Sequence, residues 1–247
     1  MTRQLGFYSD VNLLNIDGAD ILNIFNLSSA KREFDDLEII SSGYGYNTTA
    51  VILPDIPVAA ISDEMPVWII AKSGGAYNRV KQITISNLKS AIQRHSGGPV
   101  RVGSKGLTYG TSAVECYLSK TDAAFPGDAD AVIVDMQNRV RCVIEYKKHT
   151  LQEPIGEHLM TKYYPRPDGR KYQRLVALAK RYKYFPYQSV PLVVLYYSTR
   201  QPVIRLQEIG SLDEHGATII RDSGDISTCG RFEKAISDDV VRWLGVC

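Results

Sequence analysis

The chain has 247 residues, enough for one good core or for one core with an accessory lobe. Its 44% hydrophobic and 23% charged residues are ordinary for a soluble globular protein. No stretch approaches the roughly 18 to 20 apolar residues that span a bilayer. The net charge of +2 excludes no class of partner, but the charge is unevenly spread. Residues 1–105 hold ten Lys/Arg against ten Asp/Glu, whereas 139–183 hold twelve against four, the footprint of a surface that meets a polyanion.

The opening MTRQLGFYSDVN lacks the apolar run of a secretory signal. The four cysteines (Cys116, Cys142, Cys229, Cys247) show no CxxC spacing, so neither a zinc knuckle nor a disulfide scaffold is suggested. An intracellular, reduced protein without membrane association is expected.

In chain order, residues 17–34 have apolar residues near helical spacing, with Asp20 as the expected cap. LEIIS (37–41), residues 49–61 and VWIIAK (67–72) read as strands, interrupted by Pro54, Pro57 and Pro66. NLKSAIQRH (87–95) is a short amphipathic helix closed by Ser96-Gly97-Gly98-Pro99. SGYGYN and SGGAY are turns without the strand-then-helix context of a phosphate loop. An α/β lobe over 1–105 is therefore expected, followed by a second domain over 106–247.

In that second domain, 111–120 reads as a helix and DAVIVD (130–135), a turn at MQNR and VRCVIEYKK (140–148) as a hairpin. GRKYQRLVALAKRY (169–182) is a basic amphipathic helix. Residues 191–198, 202–209 and 217–222 are strands, and 232–245 a closing helix with Phe232, Ile236, Val240 and Trp243 on one stripe. This order describes an α/β core built on a mixed sheet.

If Met136 to Arg139 form the turn, 134 faces 141, 132 faces 143, 130 faces 145 and 128 faces 147. Asp130 then stands opposite Glu145 with Cβ atoms about 4.5 to 5.5 Å apart, and Lys147 shares their face. Facing carboxylates repel, more so when half-buried, and a divalent cation reverses the sign of that pairing. Asp130, Glu145 and the backbone carbonyl of Tyr146 suit the oxygen shell of Mg²⁺, with Mn²⁺ as a substitute. Lys147 would orient or deprotonate a water, or neutralise developing phosphate charge. A one-residue slip would put the two acids on opposite faces.

The stretch from Glu115 to Ser198 resembles the PD-(D/E)XK nuclease superfamily: a helix, an antiparallel hairpin bearing D and then ExK, another helix and another strand. The resemblance covers about a third of the chain. It implies a restriction endonuclease-like core, in which Asp130 matches the metal-binding aspartate, Glu145 the second acidic ligand and Lys147 the catalytic lysine. Glu115 sits where many members carry a helical glutamate that reaches the metal, and Gln173 resembles a polar helix residue of some subgroups. Pro126-Gly127-Asp128-Ala129-Asp130 stands in place of the literal PD, which leaves Asp128 a rival to Asp130. By the same resemblance, a homodimer acting on two strands is expected.

Residues 162–184 interleave Lys/Arg with Tyr163, Tyr164, Tyr172, Tyr182 and Tyr184, the chemistry of phosphate neutralisation and base stacking. Lys148, Lys162, Arg166, Arg170, Lys171, Gln173 and Arg174 are the candidate nucleic-acid contacts. The bland reading puts Tyr172, Leu175, Leu178, Ala179 and Tyr182 in the core with the basic face left over. The four histidines lack HExxH or HNH-like context, and no nucleophile elbow is present. The chain is thus expected to be a Mg²⁺-dependent endonuclease of restriction or junction-resolving type, acting on DNA ahead of RNA. A nucleic-acid-binding module without catalysis is the alternative.

Overall fold

A computed structural model describes residues 2–6, 16–45, 47–53, 56–73, 75–95, 98–99, 113–123, 129–162, 164–165, 169–184, 188–213 and 215–245. The chain forms two compact units, residues 1–126 and 127–247. The division falls at Pro126–Gly127 and not at residue 105. None of the helices among the described residues is long and apolar enough to cross a membrane.

In the first unit, strand β1 (Thr2–Gly6) is followed by α1 (Gly18–Leu27) and α2 (Ala30–Ser42). Asp17, not Asp20, caps α1: its Oδ1 accepts from the backbone N–H groups of Ala19 at 2.7 Å and Asp20 at 2.9 Å. The single helix expected over 17–34 is broken at Ser28, whose hydroxyl donates to the Phe25 carbonyl at 2.7 Å. Residues 37–41, expected as a strand, continue α2. Phe34 and Ser41, seven residues apart, share its buried stripe, and a short apolar run carries no period that separates strand from helix.

Strands β2 (Thr49–Leu53), β3 (Pro66–Ser73) and β4 (Ala76–Thr84) complete a four-stranded sheet in the order β1-β2-β3-β4. β1 runs parallel to β2 and the others are antiparallel. Alternate residues of β2 and β3 enter two different cores. Ala50, Ile52, Trp68 and Ile70 pack with Ile21, Phe25 and Phe34, while Val51, Leu53 and Val67 pack with Ile85, Leu88, Ile92, Val114 and Leu118. The last five belong to or begin α3 (Ile85–His95) and α4 (Ala113–Leu118). Burial on both faces explains the near-continuous apolar runs. β4 is an edge strand with exposed Asn78, Arg79, Lys81 and Gln82, a polarity that hides its strand character in the sequence.

The second unit opens with β5 (Ala131–Val134) and β6 (Val140–His149), then α5 (Gly169–Arg181), the short pair β7 (Lys183–Tyr184) and β8 (Gln188–Ser189), and β9 (Leu192–Ser198). It closes with β10 (Val203–Leu212), β11 (Ala217–Asp222), β12 (Ile226–Ser227) and α6 (Glu233–Leu244). The sheet runs β11-β10-β9-β6-β5 with β12 beside β10. β6 and β9 are parallel and joined through α5; the remaining pairs are antiparallel. This is a mixed sheet flanked by helices. Cys142, Ile144, Val193 and Leu206 pack with Val240, Trp243 and Leu244 of α6, and α5 covers the other face through Lys171 and Tyr172. Phe232, expected on the α6 stripe, is 86% exposed because it precedes the helix at its cap position.

Candidate metal centre

The site depends on the register of the β5–β6 hairpin, and that register is reached by an unexpected route. Asp135 and Arg139 close the turn, through Asp135 N–H to Arg139 carbonyl at 3.0 Å. Only Met136, Gln137 and Asn138 lie between them, with Asn138 left-handed at φ 59°. Asp135 holds this loop with its own carboxylate, which accepts from the N–H groups of Gln137 and Arg139. The four-residue turn is thereby corrected to three, and Val134 faces Val140. A bulge at Arg141 then takes up the extra residue. Beyond it Ile133 faces Cys142, Val132 faces Val143 and Ala131 faces Ile144, the expected pairs.

Strand β5 begins at Ala131, and Asp130 immediately precedes it at the hairpin's open end. Its Oδ2 accepts the Tyr146 backbone N–H at 2.6 Å, which fixes the carboxylate beside Glu145-Tyr146. The N–H and C=O of one strand residue face the same side, so the Tyr146 carbonyl also points past the end of β5. The Glu145 side chain is 1% exposed. Its Oε1 lies 2.7 Å from Lys171 Nζ and 3.9 Å from Lys147 Nζ, while Oε2 is buried with no hydrogen-bond partner. Lys147 Nζ also sits 5.4 Å from the centre of the Tyr172 ring.

Burial pushes the Glu145 carboxyl up to about 7; Lys171 draws it down and the charge of Asp130 raises it again. Two carboxylates at close quarters cannot hydrogen-bond unless one holds a proton. An unpartnered buried oxygen, a second carboxylate and a backbone carbonyl form an all-oxygen donor set, which fits a hard divalent cation. Among the described residues, no third acidic, His or Cys side chain joins them.

The remaining candidates divide. Asp128, Arg166 and the side chain of Arg170 lie outside the described residues. Glu115 lies on α4 in the first unit, where Val114 and Leu118 enter the core and Tyr117 donates to Asp63 at 2.8 Å. Lys171, expected as a nucleic-acid contact, is instead the closest partner of Glu145. No sequence pattern separates it from the other cations of the helix, because consecutive helix residues do not share a face. Gln173 is exposed and donates to the Tyr164 hydroxyl at 3.3 Å, Lys162 pairs with Glu157 at 2.9 Å, Arg174 is half-buried and Lys148 exposed. Tyr172, Leu175, Ala179 and Tyr182 are core residues, and Leu178 is half-buried.

His149, two residues beyond Lys147, is buried. Its Nε2 hydrogen-bonds the Glu153 carbonyl at 2.6 Å and its ring lies 5.1 Å from that of His158. Compared with known protein families, curated proteins and solved structures, the chain matches none.

Proposed function

We propose that the second unit hydrolyses nucleic-acid phosphodiester bonds, DNA ahead of RNA, as a divalent-metal-dependent endonuclease with a restriction endonuclease-like core. One observation carries this reading: a buried glutamate keeps one oxygen unpartnered beside a second carboxylate, with two lysine ammonium groups on its other side. A sequence selected for stability alone would not bury that group. The order of hairpin, helix and parallel strand, and the positive block over 139–183, support the same reading.

Asp130, Glu145 and the Tyr146 carbonyl would hold Mg²⁺ or Mn²⁺, which supplies Lewis-acid polarisation of the phosphodiester when bound. Lys147, steered by the Tyr172 ring, orients the attacking water and offsets charge on the phosphate. Lys171 draws the Glu145 carboxyl down against its burial and pairs with Oε1 at 2.7 Å. The test is cleavage of plasmid, linear duplex, single-stranded and branched DNA with Mg²⁺, Mn²⁺ or chelator. Wild type should cut only with metal, and Glu145→Gln and Lys147→Ala should each lose at least a hundredfold. Undiminished cleavage by both variants overturns the reading.

The Lys171 ammonium at 2.7 Å already neutralises Glu145, and this favours a second reading, a nucleic-acid-binding module without catalysis. Salt-sensitive binding that persists in chelator, with no cleavage under any divalent metal, would decide for it.

A further inference from the structure

Strand alternation puts the residues between Glu145, Lys147 and His149 on the opposite face of the sheet. Towards the centre that face is covered by α6, but further along it carries Tyr146 and Tyr197, 43% and 38% exposed. Lys148 stands directly opposite Tyr197 in the parallel β6–β9 register, and Tyr146 precedes Lys148 by two residues on the same face. The two rings are therefore diagonal neighbours, with origins about 7 to 8 Å apart, within reach of one planar group. Lys148 lies between them, and Arg200 lies just past the end of β9, anchored through its Nε to the Thr150 carbonyl at 3.3 Å. Exposed aromatic rings interleaved with cations suit a strand whose bases are unstacked and whose phosphates stay within reach of ammonium and guanidinium groups.

The sheet edge links this patch to the metal centre. β5 pairs with β6 only as far as Ile144, so Glu145 to His149 have no strand beside them on that side among the described residues. A chain crossing this open edge meets the exposed Tyr146 ring, one residue along the strand from the buried Glu145.

We infer that Tyr146 and Tyr197, with Lys148 and Arg200, form a stacking subsite for unpaired bases, which makes single-stranded nucleic acid, or the unpaired end of a duplex, the ligand of this face. The inference rests on the reading of the neighbouring site as one for nucleic acid. It is tested by fluorescence-anisotropy titration of labelled oligo(dT) and of a blunt duplex in chelator, where no cleavage is required. Tyr197→Ala and Tyr146→Ala should each weaken oligo(dT) binding about tenfold and leave the blunt duplex within twofold. Tyr197→Phe, which keeps the ring, should bind as wild type and also controls for folding. Unchanged oligo(dT) affinity in both alanine variants overturns the subsite alone. Wild-type protein that binds neither ligand overturns the subsite and the nucleic-acid reading together.

Discussion

Lys171 Nζ lies 2.7 Å from Oε1 of Glu145, so a helix and a central strand of the second unit are tied by an ion pair in which the carboxylate is 1% and the lysine 31% exposed. Losing the cation from such a pair leaves a buried charge uncompensated. Lys171→Met is expected to cost about 1 to 3 kcal/mol at pH 8, below the full buried-pair figure because the lysine is partly solvated. At pH 5, where Glu145 carries its proton, the cost should nearly vanish. Urea unfolding at the two pH values in chelator reads the difference.

Glu145 also makes stability fall as pH rises. Its folded carboxyl titrates at about 7 against an ordinary 4.5, so the folded state binds the proton more tightly than the unfolded chain. The favourable contribution is whole below 4.5 and is lost as pH climbs through 7. The stability of Glu145→Gln relative to wild type should therefore grow by about 3 kcal/mol across that window. Parallel denaturation curves from pH 4.5 to 8 check it; a difference independent of pH would be the contrary result.

Asn138 sits at φ 59°, where a branched side chain is strained and glycine is not. Asn138→Gly should leave the melting temperature unchanged or slightly raised. Asn138→Val should cost about 1 to 2 kcal/mol, read by thermal denaturation.

Tyr117→Phe tests the placement of α4 in the first unit. The phenol donates to Asp63 at 2.8 Å, and Asp63 keeps Lys89 at 2.9 Å when it is gone. The expected loss is about 1 kcal/mol, read by calorimetry.

Elements with a long period and clear stops were legible in the sequence: α3, α5, α6 and strands β5, β6, β9, β10 and β11 stand where their patterns put them. Strand β4 was not, because an edge strand presents polar residues and lacks the apolar alternation of a half-buried one. The second half of α2 read as a strand because Leu37, Ile39 and Ile40 fit either period. At the site, the expected facing of Asp130 and Glu145 needed the turn length as well as alternation: the turn is one residue shorter than expected, and the bulge at Arg141, which no pattern announces, restores the register as far as Ala131 and Ile144. The approach of Lys171 was not legible, since it depends on how α5 seats on the sheet, and a basic helix face by itself points to solvent.

The two irregularities of the hairpin cancel: a loop one residue short and a strand one residue long. Parity at the acidic end is thus uncoupled from the length of the tip, and a change of one residue around Gln137 can be absorbed at Arg141 without turning Glu145 to the other side of the sheet.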